Sequence, residues 1–117
     1  IVFQASRNGE NNIWRMDVDG ANPVQLTTGG GILPFVTADG RSVIYVNKKI
    51  STSTLMQISI DGGEPRPVSE IPLIFLGNLS PDGKRLAFVH YDKTAKTPFQ
   101  TCIAPPAAAR AAAGCAV

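Results

Sequence analysis

The sequence predicts an all-β chain built from repeated antiparallel sheets, and three observations carry the prediction. The phrase WRMDVDGANPVQLTTGG, beginning at Trp14, returns in weaker form as MQISIDGGEPRPVSE at Met56, 42 residues on. A second landmark, TADGRSVIYV at Thr37, returns as SPDGKRLAFV at Ser80, 43 residues on. Short apolar runs, Ile1-Val2-Phe3, Val43-Ile44-Tyr45 and Leu86-Ala87-Phe88, repeat in step with them. Two independent landmarks sharing one period mark a tandem repeat. Four short strands in roughly 40–45 residues is the spacing of a propeller blade. The expected fold is therefore all-β, a partial β-propeller of about two and a half four-stranded antiparallel blades.

The alignment supports this position by position. With Asp19-Gly20 on Asp61-Gly62, Pro23 meets Pro65, Leu26 meets Val68 and Thr27 meets Ser69. Upstream, Ile13 meets Leu55, Met16 meets Ile58 and Val18 meets Ile60. The first unit enters at its second strand, Ile1 to Ser6. The middle unit is intact, and its first strand is Ile32 to Val36. Asp39-Gly40 then reads as a tight two-residue hairpin turn, with Gly supplying positive φ. The second strand is Ser42 to Asn47, whose run Val43-Ile44-Tyr45-Val46 is apolar on both faces, as in a strand buried within a stack of sheets. A polar loop, Lys48 to Ser53, leads to the third strand, Thr54 to Ile60. There Met56, Ile58 and Ile60 alternate with Gln57 and Ser59, which predicts one buried face. After the Asp61-Gly62-Gly63 turn, Arg66 to Ser69 forms the fourth strand, placed on an outer edge by Pro65 and Pro67.

The third unit has strands at Ile74 to Leu79, Arg85 to Tyr91 and Phe99 to Ile103. Then Ala104-Pro105 stands where Asp-Gly is expected. Blades thus occupy residues 1–103, and 104–117 is an Ala/Pro-rich, low-complexity tail whose structure composition leaves open. An isolated blade exposes two apolar faces that only a neighbouring blade hides, which is the physical reason for the repetition. By the same reasoning the first and last units should leave bare faces, so this stretch should aggregate or need neighbouring blades.

Composition narrows the function. The chain of 117 residues is 44% hydrophobic and 17% charged, globular rather than disordered. Eleven Gly and nine Pro fit many turns. The net charge of +2 is scattered, and Lys48-Lys49 and Lys84-Arg85 are the only adjacent basic pairs. That is no stripe for a phosphate backbone, so no nucleic-acid partner is expected. The longest apolar run, Leu73 to Leu76 after Ile71-Pro72, is too short to span a bilayer, so no direct membrane insertion is expected. The chain opens on Ile1 without Met, as if already inside a strand, so its natural N-terminus is expected upstream and the lack of a signal peptide says nothing about compartment. Cys102 and Cys115 are the only cysteines. With one His they do not make a structural zinc site. A disulfide between them is open to the chain, but both lie in its least ordered-looking part and receive no role.

SPDGKRLAFV and NIWRMDVDGANPVQLT resemble the TolB-like propeller repeat, a relative of the WD40-like repeat in architecture. Ser80 to Lys84 match its Ser-Pro-Asp-Gly-(Lys/Arg) motif, Ile13 to Gly20 its Ile-(Trp/Tyr)-x-(Met/Val)-(Asp/Asn)-x-Asp-Gly segment, and Leu26-Thr27 its Leu-Thr ending. The resemblance covers about Ile1 to Ile103. The middle unit departs from the pattern, with Thr37-Ala38 for Ser-Pro and Val68-Ser69 for Leu-Thr, yet keeps size and turn chemistry. The resemblance implies a bacterial, periplasmic or extracytoplasmic propeller. Its settings are TolB itself, the sensor region of some bacterial serine/threonine protein kinases, and the cap of prolyl-oligopeptidase-type peptidases. The kinase-appended kind is the most similar in phrasing.

No catalytic constellation is found. A nucleophile elbow needs Gly-x-Ser-x-Gly, and GNLSPDG fails that spacing at Ser80, which reads as a turn residue. The only histidine, His90, ends a strand beside Tyr91 and Asp92 and reads as an exposed polar group. An EF-hand reading of DVDG at Asp17 puts Arg15 first and Leu26 twelfth, neither a ligand. Asp19 therefore reads as a hairpin residue, and Asp17 as one that adds a side-chain hydrogen bond to the turn. TTGGG at Thr27 lacks both phosphate-loop patterns and reads as a flexible connection between blades. Asn78-Leu79-Ser80 is a glycosylation sequon, with Pro81 and the bacterial character of the repeat arguing against its use. Trp14, Tyr45 and Phe88 read as inter-blade core.

No catalytic, cofactor or metal residues are therefore expected, and no cofactor. The expected function is a non-catalytic scaffold that binds a protein, peptide or glycan, or the remaining blades of the same propeller. The alternative is an accessory or sensor propeller of a larger kinase or peptidase. Asn8 to Asn12, Lys48 to Ser53 and Asp92 to Thr97 would be the long loops of one rim, where propellers carry most binding. They are not assigned as a site.

Overall fold

The computed structural model describes residues 1–7, 9–48, 53–71, 73–91, 96, 99–106 and 115–116. Among them, eleven strands form three antiparallel sheets. The first sheet is β1 (Val2–Arg7), β2 (Glu10–Arg15) and β3 (Val24–Gln25), in that order. The second is β4 (Ile32–Val36), β5 (Ser42–Lys48), β6 (Ser53–Ser59) and β7 (Arg66–Ile71), again in sequence order. The third has β8 (Leu73–Leu79), β9 (Leu86–Tyr91), β10 (Phe99–Ala104) and β11 (Cys115–Ala116). No α-helix occurs among the described residues, and no helix there is long and apolar enough to cross a membrane.

Two cores flank the second sheet. On one side Val43, Tyr45 and Ile58 pack with Ile13 and Leu26 of the first unit. On the other, Ile44, Val46 and Leu55 pack with Leu86, Phe88, Cys102 and Ala104 of the third. The apolar run of β5 is thus buried on both faces, as its sequence predicts. β6 differs from its prediction of one buried face: Leu55 and Ile58 project to opposite faces and both are buried. The alternation at Met56, Ile58 and Ile60 describes only the side toward the first sheet; on the other, Leu55 is buried beside Ser53. Tyr45 and Phe88 are core residues, as expected. Trp14 is not in the core between sheets. It pairs with Phe3 on the face of the first sheet opposite to Ile13, is only half-buried, and takes the Arg7 guanidinium over its ring.

The Asp39-Gly40 and Asp82-Gly83 turns share one circuit, and it is longer than the two-residue hairpin the sequence suggests. Thr37 N donates to Ser42 O and Gly40 N to Thr37 O, both at 2.9 Å, leaving residues 38–41 as a four-residue loop built on a type I turn. Gly40, at φ 71°, takes the left-handed position that closes it. Thr37 Oγ1 donates to Asp39 Oδ1 at 2.6 Å, and Asp39 Oδ1 accepts from Arg41 N. The third unit repeats this with Ser80 Oγ donating to Asp82 Oδ1 at 2.6 Å and Lys84 N donating to the same oxygen. Ser80 is the turn residue its sequence context predicts. In both turns the hydroxyl hydrogen bond, followed by the backbone amide, holds the carboxyl below the ordinary carboxylate value.

β11 is the element the sequence left unplaced. Phe99–Ala104 keeps the predicted third strand, and Cys115 then pairs in register with Cys102. Cys102 is fully buried and disulfide-bonded, and Cys115 is the only other cysteine in the chain. A covalent link therefore supplies the fourth strand where the Asp-Gly turn is missing, and the third unit has four strands rather than three.

Candidate functional site

The antiparallel order sends the Asp-Gly turns to one rim and the β1–β2 and β5–β6 connections to the other. Of the three long loops predicted for that second rim, Asn8, residues 49–52 and most of 92–98 lie outside the described residues. What is described brings two of the three together. Gly9, Glu10 and Asn11 from the first sheet, and Asn47 and Lys48 from the second, border one recess of about 470 Å³, floored by Gly29, Gly30 and Gly31. The recess carries one carboxylate and one ammonium group on opposite sheets, with side-chain amides between them.

The glycine segment is held, not loose. Its reading as a flexible connection fails because the chain before it is tied to β2. Leu26 N donates to Ile13 O at 2.8 Å. Ile13 N donates to Thr27 Oγ1 at 2.9 Å, and that hydroxyl donates to Asn12 Oδ1 at 2.8 Å. Gly30 N donates to the same Asn12 oxygen at 3.0 Å, and Gly31 N to Asn11 O at 2.9 Å. Asn12 and Thr27 are both buried, so this circuit satisfies polar groups that water does not reach. Gly31 is required sterically. A Cβ there would stand 2.8 Å from Ile13 Cγ1 and 3.0 Å from Tyr45 Cδ2, so only glycine lets the connection pass between the two sheets. Composition flags the glycines, but only the partners Asn12 and Tyr45, distant in sequence, reveal the constraint.

β4 enters the second sheet from this rim with a bulge between Ile32 and Phe35. It encloses Leu33, which adopts φ 54° and donates its amide to Gln4 Oε1 at 2.8 Å. A leucine in the left-handed region is strained. The hydrogen bond from the first sheet is what fixes it.

At the opposite rim a second, more apolar recess of about 640 Å³ opens between the second and third sheets, lined by Ile44, Pro67, Val68 and Pro105 with Arg66 and Lys84 at its edge. Arg66 donates to Gln57 Oε1 at 2.8 Å.

The other candidates singled out in the sequence are turn residues. Asp19 Oδ1 accepts from Ala21 N, and Asp17 Oδ2 accepts from Asn22 Nδ2 at 2.8 Å, the side-chain hydrogen bond expected of Asp17. No group of three or more His, Cys, Asp or Glu side chains placed to hold a metal occurs among the described residues. His90 lies in β9, opposite Gln100 of β10.

No protein-family model and no curated protein matches the chain. Solved structures do. TolB from Acinetobacter baumannii superposes with a TM-score of 0.68 at 25% sequence identity, over 89% of this chain and 26% of that one. A putative TolB from Agrobacterium tumefaciens gives 0.67 at 21% identity, over 87% of this chain and 39% of that one. The chain thus spans well under half the length of the structures it resembles. The motifs that match the repeat, Ser80 to Lys84 and Ile13 to Gly20, fall on the hydrogen-bonded turns and strands that build these sheets, and the chain is a relative of the TolB-like propeller repeats.

Proposed function

We propose that the three sheets are consecutive blades of a propeller, and that the chain is a non-catalytic binding scaffold whose β1–β2 and β5–β6 rim receives a protein or peptide partner. The observation that carries this reading is the recess of about 470 Å³ where the rim ends of two sheets meet over a hydrogen-bonded glycine segment. A recess whose floor is held by hydrogen bonds binds without the entropy cost of ordering that floor. Glu10 and Lys48 on its two sides suit a partner with both charges, or an extended peptide whose backbone meets the side-chain amides of Asn11 and Asn47. An extracytoplasmic setting is part of the same reading. The Cys102 disulfide supports it, since such bonds persist in oxidising compartments.

The test is selection of peptides from a displayed random library on the oxidised chain. Peptides that bind through the rim should lose binding to Asn47→Arg and Lys48→Glu variants and keep it with Val24→Ser, an exposed change on β3. Selected peptides indifferent to both rim substitutions, or no enrichment over an unrelated β protein, would remove the rim from the account.

A further inference from the structure

The recess between the second and third sheets is walled on both sides by this chain, and it opens because the two sheet junctions are filled differently. Between the first and second sheets, Ile58 stands opposite Val43 in the core, with Ile60 packed beside it. Between the second and third, Ala104 stands opposite Leu86, and the chain goes on as Pro105-Pro106. A methyl replaces an isoleucine side chain there, and two prolines without amide hydrogens follow it. Beyond Ala104 lies the recess of about 640 Å³. Val68 reaches it from a bulge in β7, where Ser69 pairs with Leu55 and Pro67 with Met56. The Asp39-Gly40 and Asp82-Gly83 turns meet at one end of it: a Cβ added to Gly83 would stand 3.5 Å from Ala38 N. Ile44, Gln57 and Arg66 form one row across β5, β6 and β7, and Lys84 comes from the turn before β9. Gln57 Oε1 holds one end of the Arg66 guanidinium at 2.8 Å. Asp82 is engaged within its own turn by Ser80 Oγ and Lys84 N. Among the described residues no Asp or Glu lines the recess, and neither Arg66 nor Lys84 has an ion-pair partner.

We propose that this recess binds a small monocarboxylate with an apolar body, of the medium-chain aliphatic acid class. Its carboxylate lies between Arg66 and Lys84, and its hydrocarbon runs along Ile44, Val68 and Pro105. The chemistry follows from each wall. Two cations from opposite sheets, with no carboxylate beside them in the recess, favour an anion and repel a cation. A guanidinium tied down at one end by Gln57 keeps further N–H donors for a carboxylate and loses less freedom in binding it. The apolar walls gain only from a ligand that covers them, so a small inorganic anion leaves most of the recess unused. A neutral hydrocarbon leaves both cations without a partner. The volume falls within the roughly 300–1,000 Å³ of small-molecule pockets. The site lies on the rim opposite the proposed partner recess and does not depend on it.

The methyl groups of Ile44 and Val68 report the recess, and Ile13, in the other core, is the reference. Octanoate titrated into the oxidised chain should shift the ¹³C methyl resonances of Ile44 and Val68 saturably and leave Ile13 in place. Octanol, equal in length but uncharged, should bind at least about threefold more weakly, the scale of an exposed ion pair. Acetate, which lacks the hydrocarbon, should bind at least about a hundredfold more weakly. Arg66→Gln and Lys84→Gln, both at exposed positions, should each weaken octanoate binding by about threefold to fivefold with an unchanged far-ultraviolet circular dichroism spectrum. The Arg66→Glu/Lys84→Glu double variant should prefer octylammonium to octanoate. No saturable shift with octanoate, equal affinity for octanol, an equal shift at Ile13, unaltered octanoate affinity in both single variants, or no reversed preference in the folded double variant would each overturn the proposal. So would nuclear Overhauser effects from Val68 to the methyls of Ala107, Ala108 or Ala109 in the ligand-free chain, which give the recess to the chain itself. Dimerisation that octanoate reverses would give it to a second copy, with the same result.

Discussion

Replacing Gly31 with alanine tests the contact on which the stacking of the first two sheets turns. The added Cβ would lie 2.8 Å from Ile13 Cγ1 and 3.0 and 3.2 Å from two ring carbons of Tyr45. Neither neighbour has room to retreat: Ile13 is 0% and Tyr45 1% exposed, and they belong to opposite sides of the same core. Overpacking of this kind costs about 1–3 kcal/mol. Loss of glycine's freedom in the unfolded chain offsets roughly 0.4–1 kcal/mol of that. The net expectation is a loss of about 1–2 kcal/mol, or a fall in Tm of roughly 3–10 °C for a domain of this size. Gly29→Ala is the control. It belongs to the same segment, its added Cβ meets nothing within 4 Å, and its φ is not left-handed. It should be neutral or slightly stabilising. Thermal and urea unfolding followed by Trp14 emission would measure both. Equal midpoints for the two variants, or a Gly31→Ala chain as stable as the parent, would refute the reasoning that the connection is pinned between the sheets.

Other expectations follow from the same geometry. Thr27→Val removes the hydroxyl that joins Ile13 N to Asn12 Oδ1 in a buried place, and should lower urea stability by about 1–3 kcal/mol, whereas Thr27→Ser should retain most of it. Asp39 and Asp82 have lowered pKa values in the folded chain, so their contribution is fully present above the unfolded carboxylate value near 4 and is lost as pH falls through the folded values. Urea midpoints of the parent should therefore fall on acidification below about pH 4, and the Asp39→Asn/Asp82→Asn double variant should show a shallower fall. Reduction of the Cys102 disulfide opens a ring of roughly 15 residues and should cost about 3 kcal/mol, read as a urea midpoint with and without a dithiol reductant.

Most of the strand order was legible because the repeat writes its punctuation locally. Asp39-Gly40 and Asp82-Gly83 sit inside turns whose hydrogen bonds run within six residues, from Thr37 to Ser42 and from Ser80 to Arg85. Val43 to Val46 announced burial on both faces by being apolar at every position. The misreadings all concern partners distant in sequence. Leu55 is buried against the third sheet, a fact that alternation along β6 does not encode. Val18 aligns with Ile60 yet is 88% exposed: the two turns begin at equivalent residues, Asp17 and Ser59, but β2 ends at Arg15 whereas β6 continues to Ser59, and Ile60 N is tied to Arg41 O. Thr27 to Gly31 looked loose until Asn12 and Tyr45 were placed beside it. Cys115 carries no repeat signature, and only its register with Cys102 makes it a strand. The candidate rim was legible as loop positions. Its recess was not, since it depends on how closely Gly30 and Gly31 let two sheets approach.

The central claim is that one sheet stands between two others and hides a different apolar face against each. Methyl–methyl nuclear Overhauser effects on the oxidised chain measure this most directly. The account predicts cross-peaks from Ile58 to Ile13 and from Leu55 to Leu86, and none between Ile13 and Leu86. Cross-peaks joining Ile13 to Leu86, the mark of a single two-sheet sandwich, would contradict it.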